Sequence, residues 1–231
     1  MFVKICGVTN EDDALLAVAL GADAVGFVFA PSPRQMPPDR AREIANRLPS
    51  DVLSVGVFRN ELPERVVEIT SKARLGAAQL HGHEKPEDVA WVAARVPVTV
   101  KAFPAGHDGL ERLEDYGAHI VLLDGLQPGS GEVFDWSLAE GAPLGGRRLL
   151  LAGGLNAANV AAAIRRVRPW GVDVSSGVES KPGRKDPTAL RAFLEAAKSA
   201  GETTARERAR DADAVRGPAS GPGLYDWSLD E

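Results

Sequence analysis

Four groups of side chains in this 231-residue chain are of types that do chemistry. The first is Cys6, the only cysteine. It stands where the strand-like run Val3-Lys4-Ile5 gives way to Gly7-Val8-Thr9-Asn10. The second is a pair of carboxylates: Asp124, directly after Ile120-Val121-Leu122-Leu123, and Asp173, within Gly171-Val172-Asp173-Val174. The third is Gln79-Leu80-His81-Gly82-His83, and the fourth is two turns of small residues, Ala152-Gly153-Gly154-Leu155-Asn156 and Ser175-Ser176-Gly177-Val178-Glu179. A lone thiol is either reactive or simply a small buried hydrophobe. A carboxylate that ends an apolar strand is costly to bury alone, so Asp124 faces an open mouth, has a partner, or caps its own turn with Gly125. Glycines let backbone N–H groups approach phosphate oxygens, and a helix N-terminus favours the dianion. On that reading Gly153, Gly154, Ser175, Ser176 and Gly177 cradle a phosphate. The alternative is two tight turns with no ligand.

Such groups act together only if the fold converges on them. The chain alternates short apolar runs with helical patterns. Strands are expected at Val3–Ile5, Ala24–Phe29, Val52–Val57, Ala77–Leu80, Val98–Ala102, Ile120–Leu123, Arg148–Ala152 and Gly171–Val174. Helices are expected at 11–20, 39–48, 62–72, 86–94, 110–116, a short one from about 136, 157–167 and 186–200. Thr9 and Asn10 offer caps to the first helix, whose opening turn is acidic, and Asn156 offers one to the seventh. Runs that are apolar throughout suit strands buried on both faces. Eight strand-helix units joined by crossovers imply a single closed parallel (β/α)8 barrel, the TIM-barrel fold of the α/β class. A doubly wound open sheet would need a more polar, alternating edge strand, and none is present. In the barrel every strand's carboxyl end opens on one mouth. That is where Cys6, Gln79, His81, Asp124 and the two turns belong.

Composition narrows the function. Hydrophobic residues make up 44% and charged residues 26% of the chain, the balance of a globular protein with a sizeable core. With a net charge of −5 and no basic block, nucleic acid is not the expected ligand. A single cysteine excludes an intrachain disulfide and a cysteine-cluster metal site. No apolar run approaches the ~18 residues that span a membrane, and no secretory leader is visible, so a cytoplasmic protein is expected. The barrel accounts for residues 1–200. Residues 201–231 read as a charged, Gly/Pro-rich, flexible tail: a solvated helix over 202–216, a linker at 217–223 and an end with Tyr225 and Trp227. Tyr225-Asp226-Trp227-Ser228-Leu229 echoes Phe134-Asp135-Trp136-Ser137-Leu138. It is either coincidence in a terminus or a segment that docks near Trp136, on its own barrel or on a second molecule.

The motifs together resemble the phosphoribosylanthranilate isomerase family. They are Lys4-Ile5-Cys6-Gly7-Val8-Thr9, Gln79-Leu80-His81-Gly82, Leu122-Leu123-Asp124-Gly125 with Pro128-Gly129-Ser130-Gly131, Gly153-Gly154-Leu155-Asn156, and Val172-Asp173-Val174-Ser175-Ser176-Gly177-Val178-Glu179. They run in the family's order over about residues 3–186, and Ala152 stands where the family often has serine. The resemblance implies a step of tryptophan biosynthesis, the Amadori rearrangement of N-(5-phosphoribosyl)anthranilate to the aminoketose. It implies Asp124 as general acid and Cys6 as general base, with Gln79, His81 and Asp173 on the substrate and Arg34 on the anthranilate carboxylate. It implies no cofactor and no metal. The expected partner is a small phosphosugar bound by a monomer, or by a homodimer.

Three other readings remain open on the residues. A metal-dependent pentulose-phosphate epimerase would use His81 or His83 with Asp124 or Asp173 as ligands, leaving Cys6 idle. A Schiff-base aldolase would use Lys101. A catalytically silent binding barrel would use neither Cys6 nor Asp124.

Overall fold

The computed structural model describes residues 1–125 and 135–216. The Pro128-Gly129-Ser130-Gly131 motif, Phe134, the linker expected at 217–223 and the Tyr225–Leu229 segment lie outside the described residues. Eight parallel strands close into a barrel in chain order: β1 (Phe2–Ile5), β2 (Ala24–Val28), β3 (Leu53–Phe58), β4 (Ala77–Leu80), β5 (Val98–Pro104), β6 (Ile120–Asp124), β7 (Arg148–Leu151) and β8 (Gly171–Val174). The seam is β1 against β8, in the register Phe2↔Gly171, Val3↔Val172, Lys4↔Asp173 and Ile5↔Val174.

Strand alternation sorts the residues into two cores. Val3 and Ile5, Val25 and Phe27, Val121 and Leu123 point outward and meet the helices in the main apolar cluster. Val100, Ala102, Ile120, Leu122, Leu150 and Ala152 fill one side of the barrel interior, and Ala24, Val55 and Ala77 fill the other. Two residues above these interior positions, on the same faces, come Gly26, Gln79 and Asp124. Asp173 stands likewise above Gly171. The polar groups are therefore the top layer of the barrel's own filling.

The outer helices are α1 (Glu11–Ala19), α2 (Pro38–Ala45), α3 (Pro63–Lys72), α4 (Pro86–Ala93), α5 (Leu113–Tyr116), α6 (Val160–Val167) and α7 (Pro187–Arg216). Asn10 caps α1 as expected, its Oδ1 accepting from the Asp13 amide at 2.9 Å. Proline occupies the first turn of α2, α3 and α4, where its missing N–H costs nothing.

Four departures from the expected elements have local causes. The connection after β6 contains only a 3₁₀ turn, Trp136–Leu138. The sequence after it, with Gly141, Pro143, Gly145 and Gly146, cannot sustain a helix. The weak helix expected over 110–116 is a 3₁₀ segment (Asp108–Arg112) followed by the single turn of α5, which Gly117 ends in the left-handed conformation. Asn156 does not cap α6. Its Oδ1 accepts from the Ala158 amide at 2.9 Å, closing a turn that delays the helix until Val160. Between β8 and α7 lies an unanticipated hairpin, β9 (Glu179–Lys181) with β10 (Arg184–Lys185).

The last helix does not stop near Ala200. α7 continues unbroken through Gly201 to Arg216. Gly201 is accommodated because Met1 packs where its Cβ would be. Thr204 is buried, and Arg208 Nη2 donates to the Arg168 carbonyl at the end of α6 at 2.7 Å. Residues 201–208 thus belong to the packed body. Ending the chain after Ala200 should preserve the circular dichroism signature of the barrel. It should lower the melting temperature by roughly 4–10 °C, taking about 2–4 °C per kcal/mol for a chain of this size. An unchanged melting temperature would show these contacts to be idle.

Candidate active site

The carboxyl ends of all the strands except β5, with the loops that follow them, line a cavity of about 170 Å³ at the carboxyl face of the barrel. These residues singled out from the sequence line it: Cys6, Arg34, Gln79, His81, Asp124, Gly153, Gly154, Asp173, Ser175, Ser176 and Gly177. His83, named in the metal-dependent reading, does not, and neither does Lys101. Its strand neighbours Val100 and Ala102 face the interior, so alternation turns Lys101 outward. There its ammonium is held by Glu84 at 2.7 Å and by the Gly82 carbonyl at 2.7 Å. A pinned, outward lysine is badly placed for a Schiff base at the mouth.

Cys6 follows β1 directly, and its amide donates to the Val174 carbonyl at 2.8 Å. The thiol is buried. That burial pushes its pKa up from the ordinary value, Asp173 adds to the rise, and Lys4 and Lys185 pull the other way. Below it lies a fully buried ion pair, in which Lys4 Nζ donates to both oxygens of Asp173 at 2.9 Å. Burial on its own would depress the Lys4 pKa, but Asp173 and then Cys6 outweigh it, and the ammonium is held charged. Both Asp173 oxygens are therefore already engaged, although the residue lines the cavity.

Asp124 meets all three of its expected descriptions at once, lining the cavity, holding a partner and closing its own turn. Oδ1 accepts from the Gly125 amide at 2.7 Å, and Oδ2 lies 3.1 Å from His81 Nε2. His81 Nδ1 lies 2.9 Å from Gln79 Nε2. An amide nitrogen only donates, so in this arrangement Nδ1 accepts and the imidazole carries its proton on Nε2, towards Asp124. Gln79 is wholly buried, and its Oε1 has no hydrogen-bond partner.

The two small-residue turns interlock. Gly153 and Gly154 have φ of 85° and 62°, a conformation that side chains with a Cβ avoid. A Cβ on Gly177 would strike the Leu155 carbonyl, so the loop after β8 can lie on the loop after β7 only with glycine there. Asn159 Nδ2 donates to the Gly154 carbonyl at 2.9 Å and ties the first turn to the start of α6.

The hairpin supplies two residues that the sequence reading left without a role. Glu179 receives Arg34 Nε at 2.9 Å and Nη2 at 2.7 Å. This fixes one edge of the guanidinium and leaves Nη1 outside the pair. Glu179 also accepts from Lys185 at 3.0 Å, and Lys185 in turn donates to the carbonyls of Cys6 at 2.6 Å and Ser175 at 3.2 Å. Burial lowers the Lys185 pKa against the pull of Glu179. The Glu179 carboxyl is held below its usual range, because the bonds from Arg34 and Lys185 outweigh its own burial. Nothing in the sequence marks Lys185, which lies on a two-residue strand. Lys4 did carry a signal: it lies two residues before Cys6 on one strand, hence on the same face. Among the described residues, no group of three or more His, Cys, Asp or Glu side chains is arranged to hold a metal ion.

The chain matches the family model of N-(5'-phosphoribosyl)anthranilate isomerase over residues 3–196. The curated N-(5'-phosphoribosyl)anthranilate isomerase of Desulforudis audaxviator is 50% identical over 205 residues, covering 86% of this chain and 98% of that protein. A solved phosphoribosylanthranilate isomerase in complex with reduced 1-(o-carboxyphenylamino)-1-deoxyribulose 5-phosphate superposes with a TM-score of 0.76 at 45% identity, covering 86% of this chain and 99% of that one. Monomers generated from the dimeric enzyme of Thermotoga maritima give the same score, identity and coverage. With its eight-stranded barrel, its converging mouth residues and these likenesses, the chain belongs to the N-(5'-phosphoribosyl)anthranilate isomerase family and is an isomerase of tryptophan biosynthesis, carrying out the Amadori rearrangement of N-(5'-phosphoribosyl)anthranilate.

Proposed function

We propose that Asp124 and Cys6 are the acid and the base of this rearrangement. The observation that carries the reading is that both line one cavity together with the two glycine-rich turns. The amides of Gly153, Gly154 and Gly177 and the hydroxyls of Ser175 and Ser176 receive the phosphate. Anchoring one end of the sugar holds the reacting carbons between the acid on β6 and the base after β1, an orientation effect. Arg34 presents its free edge to the anthranilate carboxylate while Glu179 holds the other edge. Asp173 borders the substrate chiefly through its hold on Lys4. The compound bound to the related enzyme, the reduced form of the aminoketose phosphate, has a phosphate and a carboxyphenyl group at its two ends.

The reaction then needs two proton movements. Asp124 gives a proton to the ring oxygen as the C1–O bond breaks, leaving a protonated Schiff base. Cys6, as thiolate, takes the proton from the neighbouring carbon, and the enolamine tautomerises to the ketone. The Gln79–His81 pair lets Asp124 alternate between its two states without moving. As arranged, the Nε2–H of His81 supports a carboxylate. With the Gln79 amide turned over and the imidazole in its other tautomer, Nε2 having lost its proton to solvent and Nδ1 having gained one from it between turnovers, Oε1 takes Nδ1–H, Nε2 accepts, and Asp124 carries the proton between them.

The described mouth residues all come from one chain, which supports a monomer as the working unit, with a homodimer as the alternative. No described helix is long and apolar enough to cross a membrane. This fits the proposed cytoplasmic setting.

Cys6→Ala and Asp124→Asn should each lower kcat by about 10²–10⁴ or more in a coupled fluorescence assay, with the fold retained. Near wild-type turnover by either variant would sink its assignment. Arg34→Ala should raise KM, and Glu179→Gln should do so more weakly, since the guanidinium survives but loses its hold. Inorganic sulfate should compete with substrate. A glycine-turn variant that kept full sulfate sensitivity would place the phosphate elsewhere.

A further inference from the structure

Lys4 is fully buried, charged and outside the acid–base scheme above. Its strand sets it on the same face as Cys6, and β2 makes room for both. Gly26 has no side chain, and a Cβ built there would stand 3.1 Å from Cys6 Sγ and 3.2 Å from Lys4 Nζ. The thiol and the ammonium thus crowd the same point over one glycine. Lys4 is anchored there by both oxygens of Asp173 on the opposite side of the barrel seam.

We propose that Lys4 is the positioning residue that makes Cys6 a competent base: its ammonium, fixed over Gly26 by Asp173, is the counter-charge of the thiolate formed beneath the substrate. The inference rests on Cys6 being the base, and it assigns the two members of the buried pair opposite influences. Removing Lys4 leaves the thiol with burial and the Asp173 charge, both of which oppose ionisation. Removing the Asp173 charge frees the ammonium for the sulfur alone. Among the described residues, the other charged or titratable groups near Cys6 are Lys185, bonded to its carbonyl, and Arg34, Asp124 and His81, which border the same cavity. Lys185 and Arg34 share the single carboxylate of Glu179, which balances one of their two charges, whereas Lys4 reaches the thiol from beneath.

Cys6 is the only cysteine, so the pH dependence of its alkylation by iodoacetamide reports thiolate formation at one site, independently of turnover. Asp173→Asn should move the alkylation midpoint to lower pH. Lys4→Met strands a buried carboxylate and is the variant most exposed to misfolding. The Lys4→Met/Asp173→Asn double variant is neutral, close in volume and free of that problem. Its midpoint should lie about one to three pH units above that of Asp173→Asn. A purely structural role for the pair would not produce shifts of opposite sign. Coincident midpoints for Asp173→Asn and the double variant, both folded by near-ultraviolet circular dichroism, would overturn the proposal and leave Cys6 as base untouched. Failure of the underlying reading looks different: Cys6→Ala would then retain turnover, whatever the midpoints do.

Discussion

A charge sealed inside a β-barrel has to be answered from within the barrel. Lys4 lies on an interior strand face with 1% of its surface exposed, and Asp173 meets its ammonium on both oxygens. Breaking such a pair by removing one member generally costs about 3–5 kcal/mol, because the other is stranded, whereas a well-packed neutral substitute is often harmless. The pair is therefore poor evidence for stability and good evidence for specificity. Its geometry holds only if β8 meets β1 in the observed register. A slip of one residue turns Lys4 towards the helices and Val3 towards the mouth. The other mouth residues depend on the same registration, carried strand by strand round the barrel.

A second layer of charge lies above the first. Arg34, Glu179 and Lys185 form a chain from the loop after β2, through the hairpin, to the backbone of Cys6 and Ser175. Three regions far apart in sequence are fixed by one carboxylate. The guanidinium proposed to grip the anthranilate carboxylate, the backbone that carries the thiol and the turn proposed to receive phosphate therefore share a common mount. A change at Glu179 is felt at all three, though it touches none of the reacting atoms. The separation between positioning groups and reacting groups is typical of sites preorganised for charge.

Much of this was readable in the residues. Strands buried on both faces are apolar throughout, and a polar group at the end of such a strand has few places to go. That logic placed Cys6, Asp124 and the small-residue turns at one mouth. Strand parity was equally legible, and it explains why Lys101, chemically attractive, faces away. Other features had no local signature. The hairpin is built from strands of three and two residues with no apolar pattern. The helical turn expected after β6 is undone by glycines and a proline spread over several positions. Gly201 reads as a helix stop, yet tertiary contact with Met1 overrides that preference. The pairing of Gln79 with His81 also needs the third dimension, since neither residue announces which nitrogen carries the proton.

The grip of Lys185 on the Cys6 carbonyl spans 179 residues. In the order of folding events this puts the site near the end. Bringing residues so distant together costs loop-closure entropy before any contact repays it, and barrels closed by such contacts fold slowly. The first four strands on their own contain the thiol but lack the carboxylate that seats Lys4, the lysine that fixes the Cys6 backbone and both small-residue turns. A partly folded chain therefore presents a loose thiol in an unfinished pocket. Reactivity and substrate recognition come into being together, with the closing of the seam.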